Sequence, residues 1–473
     1  MHYTELCSKI CEIEYQNNLF DTSFNNVHYW KYARYYIYRI LLNKLYRIHT
    51  PWLEKKNTSE RRKFTRPFQN LSDLFFHNIS RTSPKDILMF TFNRRAKKGR
   101  LFASSVTDEI ALNLELSHCV VEAPCNGRYY RPVPIKKIKY FDVWEGIGKN
   151  PGSYTPISRG KLHKQILQIF EKEFSITFTK EEKTILITNI NYFIMFREEL
   201  MANYSKILKK INPRLVLYTT SYIGEWVVLT ETLKQLKIPC AEILHGYVDK
   251  HYLPYNYLKV GINDAQPDYI FVYSQLQKEN VNWGISLDNI RVAGYPEGER
   301  RAAELLADSR NRDSIRITFI SSMAPAIEKY INILADNLDM KKYEILFKLH
   351  PNEYTSWREI YTSLSDKIQI IDHNENDIHH YLVSSDIIVG INSTALYEAT
   401  FYPANIYILK EDSYENMELL IRSETAFLVE DGRQLLSFIL QNKGNSCKSN
   451  ENIYKRNSIS NINSEIRNII GLE

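Results

Sequence analysis

Short runs of apolar and β-branched residues alternate with longer amphipathic segments along most of the chain. A short run of this kind predicts a buried strand, and a longer amphipathic segment predicts a helix. The runs of the first half are KDILMFTF (85–92), CVVEAP (119–124), NPRLVLYTT (212–220), IPCAEILHG (238–246), PDYIFVYS (267–274) and NIRVAGYP (289–296). A helix is predicted at 224–237, so we expect a parallel sheet with right-handed crossovers.

A second series of the same kind begins near residue 314. Its predicted strands cover 314–322, 343–351, 367–372, 386–391 and 405–410, and its helices lie around 325–338, at 377–385 and from 394. The pattern predicts an α/β fold with two doubly wound, Rossmann-like domains that face each other across a ligand cleft. We place a helical leader at 1–80, the first domain at 81–295, the second at 296–442, and a polar tail with a candidate helix at 443–473.

The leader contains the segment HYWKYARYYIYRILLNKLYRI (28–48), in which basic and aromatic residues interleave. One interpretation is an interfacial helix that lies on an anionic membrane. The other is an amphipathic helix packed on the first domain, with its basic side chains in solvent. The aromatic residues surround the helix instead of forming one stripe, which favours the second interpretation.

Composition and charge narrow the class of protein. At 473 residues the chain is long enough for two or three domains, and its 44% hydrophobic and 25% charged residues are typical of globular proteins. The net charge of +6 suits an anionic substrate or membrane surface and does not indicate a nucleic-acid partner. The six cysteines form no CxxC pair and show no zinc spacing, and neither a signal peptide nor a run of 18 apolar residues is present. We therefore expect a reduced, cytoplasmic protein without a bound metal.

The segment FKLHPNE places Lys348, His350 and Pro351 at the carboxyl end of a predicted strand, where doubly wound folds bind ligands. Pro351 disfavours a helical conformation at His350 and ends the strand there. The imidazole would then donate a hydrogen bond to a phosphate or hydroxyl, and Lys348 would add a compact positive charge. A structural histidine that caps the loop is the alternative.

The segment GINSTALYE joins a predicted strand to a predicted helix. Asn392, Ser393 and Thr394 lie at the turn, and the free N–H groups at a helix start attract anions. Glu398 follows Thr394 by one helical turn on the same face, where it would accept a hydrogen bond from a ribose. Plain capping by Ser393 is the alternative, although Glu398 does not occupy the capping-box position.

In the first domain, EILHGYVDKHY puts His245 and Gly246 at another strand end. An imidazole there would act as a general base near neutral pH, and glycine permits close backbone approach. Asp249 is a nearby reserve. The basic loop NRRAKKGR follows an earlier strand, so Arg94 and Arg95 are candidates for contacts with an acidic acceptor. The alternatives are a surface histidine and a solvated basic loop.

Several common motifs are absent from the sequence. Neither GxGxxG nor GxxxxGK[ST] follows a strand, which argues against nicotinamide enzymes and P-loop kinases. The GxSxG turn of hydrolases is also absent.

The order of the motifs between about residues 210 and 410 resembles that of bacterial surface-polysaccharide transferases of the GT-B fold. HG, PDYIFVYS, NIRVAGYP, KLHPNE and LVSSDIIVGINSTALYE are similar to segments of CDP-glycerol glycerophosphotransferases and of bacterial sialyltransferases and polysialyltransferases. The resemblance implies that His350 and Pro351 contact the nucleotide or phosphate of the donor, and that Ser393 and Thr394 contact its phosphate.

The same resemblance implies a catalytic role for the pair His245 and Gly246, which matches the His-Gly pair of the glycerophosphotransferases. The acidic base motif of the sialyltransferases is absent, which argues against sialyl transfer.

The function expected from these observations is an inverting transfer, without a cofactor or metal, of a sugar or polyol phosphate from a nucleotide donor to a growing glycan. The partners would be a nucleotide-sugar donor, a glycan or lipid-linked acceptor and, through the leader, the inner face of the membrane. A non-hydrolysing UDP-sugar 2-epimerase and a non-catalytic nucleotide-sugar or glycan-binding scaffold are the alternatives, since one fold supports many functions.

Overall fold

Two parallel sheets form the centres of two α/β units in the computed structural model of the chain. It describes residues 3–46, 48, 77–92, 95–125, 129–142, 162–306, 313–373, 375–441 and 452–472. The predicted apolar runs are strands of these sheets, because the strands of a parallel sheet are covered on both faces and need apolar residues throughout.

The strands are short, and most residues of the strands in the two sheets are buried. In chain order they are β1 (Ser23–Phe24), β2 (Val27–His28), β3 (Ile87–Phe92), β4 (Ala96–Lys98), β5 (Leu101–Ala103), β6 (His118–Ala123), β7 (Ile138–Tyr140), β8 (Leu215–Tyr218), β9 (Cys240–Ile243), β10 (Tyr269–Val272), β11 (Ile290–Val292), β12 (Ile315–Ile320), β13 (Tyr343–Lys348), β14 (Gln369–Ile371), β15 (Ile387–Gly390), β16 (Asn405–Leu409) and β17 (Phe427–Val429).

The strand order of both sheets is the doubly wound one. The first sheet runs β7-β6-β3-β8-β9-β10-β11 and the second runs β14-β13-β12-β15-β16-β17, with every ladder parallel. In each sheet the first strand lies inside, and the chain winds outward on one side and then on the other. The predicted fold class, two Rossmann-like α/β domains, is confirmed, and ligands of such sheets bind beyond the carboxyl ends of the strands.

Helices cover the sheets and connect their strands. The α-helices are α1 (Tyr3–Gln16), α2 (Trp30–Tyr46), α3 (Asp108–Asn113), α4 (Leu162–Phe174), α5 (Lys180–Ile211), α6 (Gly224–Leu236), α7 (Gln275–Glu279), α8 (Pro296–Leu306), α9 (Ile327–Asn337), α10 (Trp357–Ile360), α11 (Ile378–Val383), α12 (Ala395–Ala399), α13 (Glu418–Arg422), α14 (Gly432–Leu440) and α15 (Ser458–Ile469). Short 3-10 turns lie at Leu19–Asp21, Ile79–Arg81, Leu253–Tyr255, Leu287–Asn289, Pro351–Glu353 and Tyr414–Met417.

The leader helix α2 is part of the first domain's core. It packs against α5 and α6, and none of its residues is exposed. Arg34 is buried and forms an ion pair with Glu14 at 2.6 Å. The prediction of a helix packed on the first domain is therefore the correct one, although two of its basic side chains, Lys31 and Arg34, are buried and not in solvent. No described helix is long and apolar enough to span a bilayer.

The polar tail contains the predicted helix, α15, and this helix returns to the first domain. Ile462 and Ile466 join the apolar cluster on one face of the first sheet. The returning chain passes close to Gly294, where a Cβ atom would lie 2.1 Å from the carbonyl oxygen of Lys455. Gly294 also has φ +96°, so only glycine fits this junction between the domains.

Candidate functional site

Three loops of the second domain meet at one edge of its sheet. β13 and β15 both flank β12, so the loops that follow these strands are neighbours at the carboxyl edge. The loop after β12 carries Ser321, the loop after β13 carries His350, and the loop after β15 carries Ser393. The structure thus places the two predicted donor motifs at the same edge of the sheet, on either side of the loop after β12.

A buried carboxylate holds the His350 loop in place. Glu353 accepts hydrogen bonds from the backbone N–H of His350 at 2.8 Å, from the Ser321 hydroxyl at 2.6 Å and from the Tyr361 hydroxyl at 2.5 Å. Pro351 fits the first position of the 3-10 turn, where no N–H is needed. The positioning role of Glu353 was not predicted, and its only sequence signal is its place three residues after His350, as in a capping box.

The ring orientation of His350 fixes its tautomer. The backbone N–H of Asn352 donates to Nδ1 at 3.2 Å, so Nδ1 holds a lone pair and Nε2 carries the proton. Partial burial lowers the pKa of His350, which keeps the ring neutral at neutral pH. The half-buried imidazole therefore offers a neutral N–H donor at the edge of the sheet.

Lys348 does not present its charge at this edge. Its side chain is buried, and Nζ donates to the Tyr354 hydroxyl at 2.5 Å and to the carbonyl oxygens of Leu349 at 3.1 Å and His373 at 3.4 Å. Burial lowers the pKa of Lys348 to about 8. The ammonium group is thus used to join two loops of the protein, and it has no hydrogen left for a donor phosphate.

The GINST turn differs from its prediction in the length of the helix. α12 has five residues, so its dipole is small and cannot by itself make an anion site. What the turn does offer is side chains: Thr394 is exposed, and Asn392 and Ser393 are half-buried. Ser393 caps the backbone N–H of Ala395 only weakly, at 3.4 Å, so its hydroxyl retains its donor capacity.

Glu398 has a protein partner that the sequence did not indicate. Nε2 of His379 lies 3.2 Å from a Glu398 carboxylate oxygen, and Nδ1 of His379 lies 2.9 Å from the Tyr402 hydroxyl. The Glu398 side chain is 24% exposed, so part of the carboxylate still faces solvent.

In the first domain, His245 follows β9 and is exposed. Its Nδ1 lies 3.4 Å from the hydroxyl oxygen of Tyr255. That hydroxyl donates to the carboxylate of Glu242 at 2.5 Å, and burial raises the pKa of Glu242 to about 7. An exposed imidazole backed by a buried tyrosine and glutamate fits the predicted general base.

The neighbours of His245 have different environments. A Cβ atom on Gly246 would meet nothing within 4 Å, so the protein itself does not require glycine there. Asp249 accepts from the backbone N–H of His251 at 2.8 Å, and its partial burial raises its pKa. Asp249 therefore shapes the loop.

Arg95, one of the two predicted acceptor-side arginines, is not available at the site. Arg95 has no exposed side-chain surface, and its guanidinium pairs with Asp108 at 2.6 Å and with Glu122. Arg95 therefore stabilises the end of β3 and cannot reach an acceptor. Arg94 lies outside the described residues.

The two domains meet where the two candidate motifs lie. The ring of Tyr247, two residues after His245, stacks on Tyr397 of α12, with ring centroids 4.0 Å apart and an 8° interplanar angle. Nearby, Lys250 pairs with Glu418 of α13 at 2.6 Å. The loop after β9 and the segment after Ser393 are therefore in direct contact. No group of three or more His, Cys, Asp or Glu side chains that could hold a metal occurs among the described residues.

Comparisons with known proteins identify the fold. No protein-family model matches the chain, and no curated protein matches it at a significant level. UDP-GlcNAc 2-epimerase from Methanocaldococcus jannaschii has a TM-score of 0.50 and 12% identity, over 81% of this chain and 99% of its own. UDP-GlcNAc 2-epimerase from Neisseria meningitidis, bound to UDP-GlcNAc, has a TM-score of 0.50 and 13% identity, over 80% and 99%. CalG4, the calicheamicin glycosyltransferase, has a TM-score of 0.43 and 10% identity, over 82% and 99%.

At such identities the likeness is one of fold. The chain shares the two-domain GT-B architecture of the two UDP-GlcNAc 2-epimerases.

Proposed function

We propose that this protein is a glycosyltransferase of bacterial surface-polysaccharide biosynthesis that works by inversion and without a metal ion. It would transfer a sugar or polyol phosphate from a nucleotide donor to a glycan hydroxyl. The observation that carries the proposal is the stacking of Tyr247 on Tyr397, because it sets the loop of His245 against the segment that follows Ser393. The loop that carries the candidate base is thereby in contact with the helix that follows the candidate phosphate site.

In this proposal the donor phosphates bind to the hydroxyls of Ser393 and Thr394 and to the Nε2–H group of His350. Fixed neutral donors of this kind stabilise the negative charge that develops on the leaving nucleotide. Asn392 adds an amide donor at the same turn, and the solvent-facing part of the Glu398 carboxylate accepts from a ribose hydroxyl.

The transfer step uses His245 as the general base. The acceptor hydroxyl oxygen attacks the anomeric carbon, or the phosphorus of a polyol phosphate, from the side opposite the nucleotide. The bond from that centre to the nucleotide oxygen breaks, and its electron pair leaves on the nucleotide. Nε2 of His245 takes the hydroxyl proton, a contribution of about 10²–10⁴-fold in rate for a positioned base.

A thermal-shift screen against CMP-, CDP-, UDP- and GDP-linked donors tests donor binding, because a ligand of the native state raises Tm. The donor that binds is then incubated with the protein and a panel of short glycan acceptors, and the products are followed by NMR. We expect release of nucleotide and a new bond to the acceptor. Donor binding without any transfer or hydrolysis would contradict the proposal and favour a non-catalytic scaffold.

A UDP-sugar 2-epimerase is a second candidate, favoured by the two structures with a TM-score of 0.50. Acid–base chemistry at C2 of the sugar would need carboxylates in the first domain. Asp108 and Glu122 lie there, but both are paired with the buried Arg95. Incubation with UDP-GlcNAc alone distinguishes the candidates: an epimerase produces the C2 epimer without an acceptor, and a transferase does not.

The proposed reaction places the protein in the cytoplasm, near the inner face of the membrane where lipid-linked acceptors are held. No residue of helix α2 is exposed, because this helix packs in the first domain. In this proposal the lipid-linked acceptor brings enzyme and membrane together.

A further inference from the structure

A buried glutamate and a buried tyrosine lie directly behind His245. Glu242 is on β9 and is completely buried, although it interrupts an otherwise apolar strand. Tyr255 is 2% exposed and belongs to the 3-10 turn Leu253–Tyr255, at the far end of the loop that begins with His245. Burying a carboxyl group is costly, so its presence in a strand calls for a specific role.

One proton decides how these three groups are connected. The Tyr255 hydroxyl has a single hydrogen, and at 2.5 Å from Glu242 that hydrogen points to the carboxylate, as expected for an O–H···O⁻ bond. Burial and the nearby Glu242 charge raise the pKa of Tyr255, so the hydroxyl keeps its proton. The hydroxyl oxygen is then an acceptor toward Nδ1 of His245, which must carry a hydrogen to bond to it.

We propose that Glu242 and Tyr255 are positioning residues that hold His245 as the Nδ1–H tautomer, with the lone pair on Nε2 directed to the acceptor hydroxyl. The inference rests on the proposed function in one respect, the role of His245 as the base. The arrangement is the opposite of His350, where a backbone N–H donates to Nδ1 and leaves the proton on Nε2. One histidine is thus arranged to accept a proton and the other to donate a hydrogen bond.

The buried carboxyl group of Glu242 gains and loses its proton near neutral pH. The titratable groups around Glu242 are Tyr255 of the loop after β9, Tyr218 of β8, and Tyr222 and Tyr252 of the neighbouring loops. The pKa of Glu242 is about 7, so the carboxylate that orients Tyr255 forms above that pH. Below it, the tyrosine hydroxyl is released to donate to Nδ1, which opposes the required tautomer.

The leader helix fixes the tyrosine. Arg34 donates to the carbonyl oxygen of Leu253 at 2.7 Å and to that of Asn256 at 2.6 Å, the residues on either side of the 254–255 pair. Tyr255 is therefore held through the backbone from the leader and through its hydroxyl from β9.

The experiment compares the full-length wild type with Tyr255→Phe and Glu242→Gln. Tyr204→Phe is the matched control, because it also removes a buried tyrosine hydroxyl, one that donates to the carbonyl oxygen of Glu225. The first readout is the ¹⁵N chemical shifts of the His245 ring above pH 8, assigned with His245→Ala. The second is the pH profile of kcat, together with KM for the donor found in the screen.

We expect Nδ1–H in the wild type and in Tyr204→Phe, and a shift toward Nε2–H in Tyr255→Phe and Glu242→Gln. In these two variants kcat falls by about tenfold or more with KM for the donor unchanged, part of the contribution of a general base. Between about pH 6 and 8 the wild-type kcat rises as the Glu242 carboxylate forms, and Glu242→Gln lacks this rise.

Two results would overturn the inference: an unchanged tautomer in both variants, or a changed tautomer with an unchanged kcat in an active enzyme. If the tautomers behave as expected but the wild type transfers nothing from any donor, the proposed function fails, and the positioning of His245 by Glu242 and Tyr255 still holds.

Discussion

Single contacts decide what the two candidate histidines can do. The backbone N–H of Asn352 leaves His350 as a hydrogen-bond donor, and the Tyr255 hydroxyl approaches Nδ1 of His245. The motifs HG and KLHP identify both residues in the sequence. Their tautomers depend on neighbours that only the fold provides.

The two glycines of this region give opposite expectations for substitution by alanine. Gly294→Ala places a Cβ 2.1 Å from a carbonyl oxygen at φ +96°, so we expect it to destabilise the fold by about 1–3 kcal/mol or more. Gly246→Ala meets open space, so its free energy of unfolding should stay within about 0.5 kcal/mol of the wild type. Urea denaturation of both variants checks this. If Gly246→Ala keeps full stability and loses transfer activity, the space beside it is used by substrate.

The buried carboxyl of Glu242 makes stability depend on pH. Its pKa is raised from 4.5 to about 7, so the native state binds the proton more tightly and stability falls as pH rises between these values. Glutamine cannot ionise, so Glu242→Gln removes the cost of burying the charge. The free energy of unfolding of Glu242→Gln relative to the wild type should rise by about 2 kcal/mol between pH 5.5 and 8.5. Thermal unfolding at both pH values measures it. The exposed Glu375→Gln is the control, and an equal shift at both pH values for Glu242→Gln would refute the expectation.

At the scale of elements, the buried strands are the part of the fold that the sequence predicts best. Their apolar runs are short and continuous, and each predicted run overlaps an observed strand. The 32-residue helix α5 was missed, although its buried residues from Leu186 to Ile211 recur at helical spacing and the capping box of Thr179 and Glu182 marks its start. Further apolar residues on its other faces, between Ile185 and Phe196, obscure this stripe in the sequence. The hairpin of β4 and β5 was interpreted as a loop, since its residues are mostly basic.

Only part of the candidate site could be predicted from the sequence. His245, His350 and Ser393 follow strands and could be found from their position. Glu242 and Tyr255 could not, because their contact spans 13 residues and depends on how the loop folds back. The one available signal was an acid inside the apolar run CAEIL.

The leader is held to the first domain by a buried ion pair. Arg34→Met would leave the carboxylate of Glu14 buried without its partner and two carbonyl oxygens without their donor, so we expect a loss of about 3–5 kcal/mol. Lys9→Met in α1 is the matched control, because its ion pair with Glu173 is exposed and worth about 1 kcal/mol at most. Urea denaturation gives both values. Equal effects of the two substitutions would show that the leader is not part of the core.

At the scale of the whole molecule, the two domains contact each other at the candidate site as well as where the chain passes from one domain to the other. The pair of Tyr247 and Tyr397 is the central contact, and we expect a coupling energy of about 0.5–1.5 kcal/mol in a double-mutant cycle with leucine. The pair of Tyr247 and Tyr330 is the control, since Tyr330 belongs to the separate apolar cluster around β12 and α9, and uncoupled positions give additive effects. Additive effects for Tyr247 and Tyr397 would mean that the domains do not rest on each other there in solution.

In the proposed function His245 of the first domain is the base and His350 of the second domain binds the donor. Steady-state transfer kinetics with the donor found in the screen test these two roles most directly. His245→Ala should lower kcat by about 10²–10⁴-fold with little change in KM for the donor, because it removes the base. His350→Ala should weaken donor binding, because it removes an N–H donor to the phosphate. The exposed His380→Ala should behave like the wild type. Unimpaired turnover in both His245→Ala and His350→Ala would contradict the account.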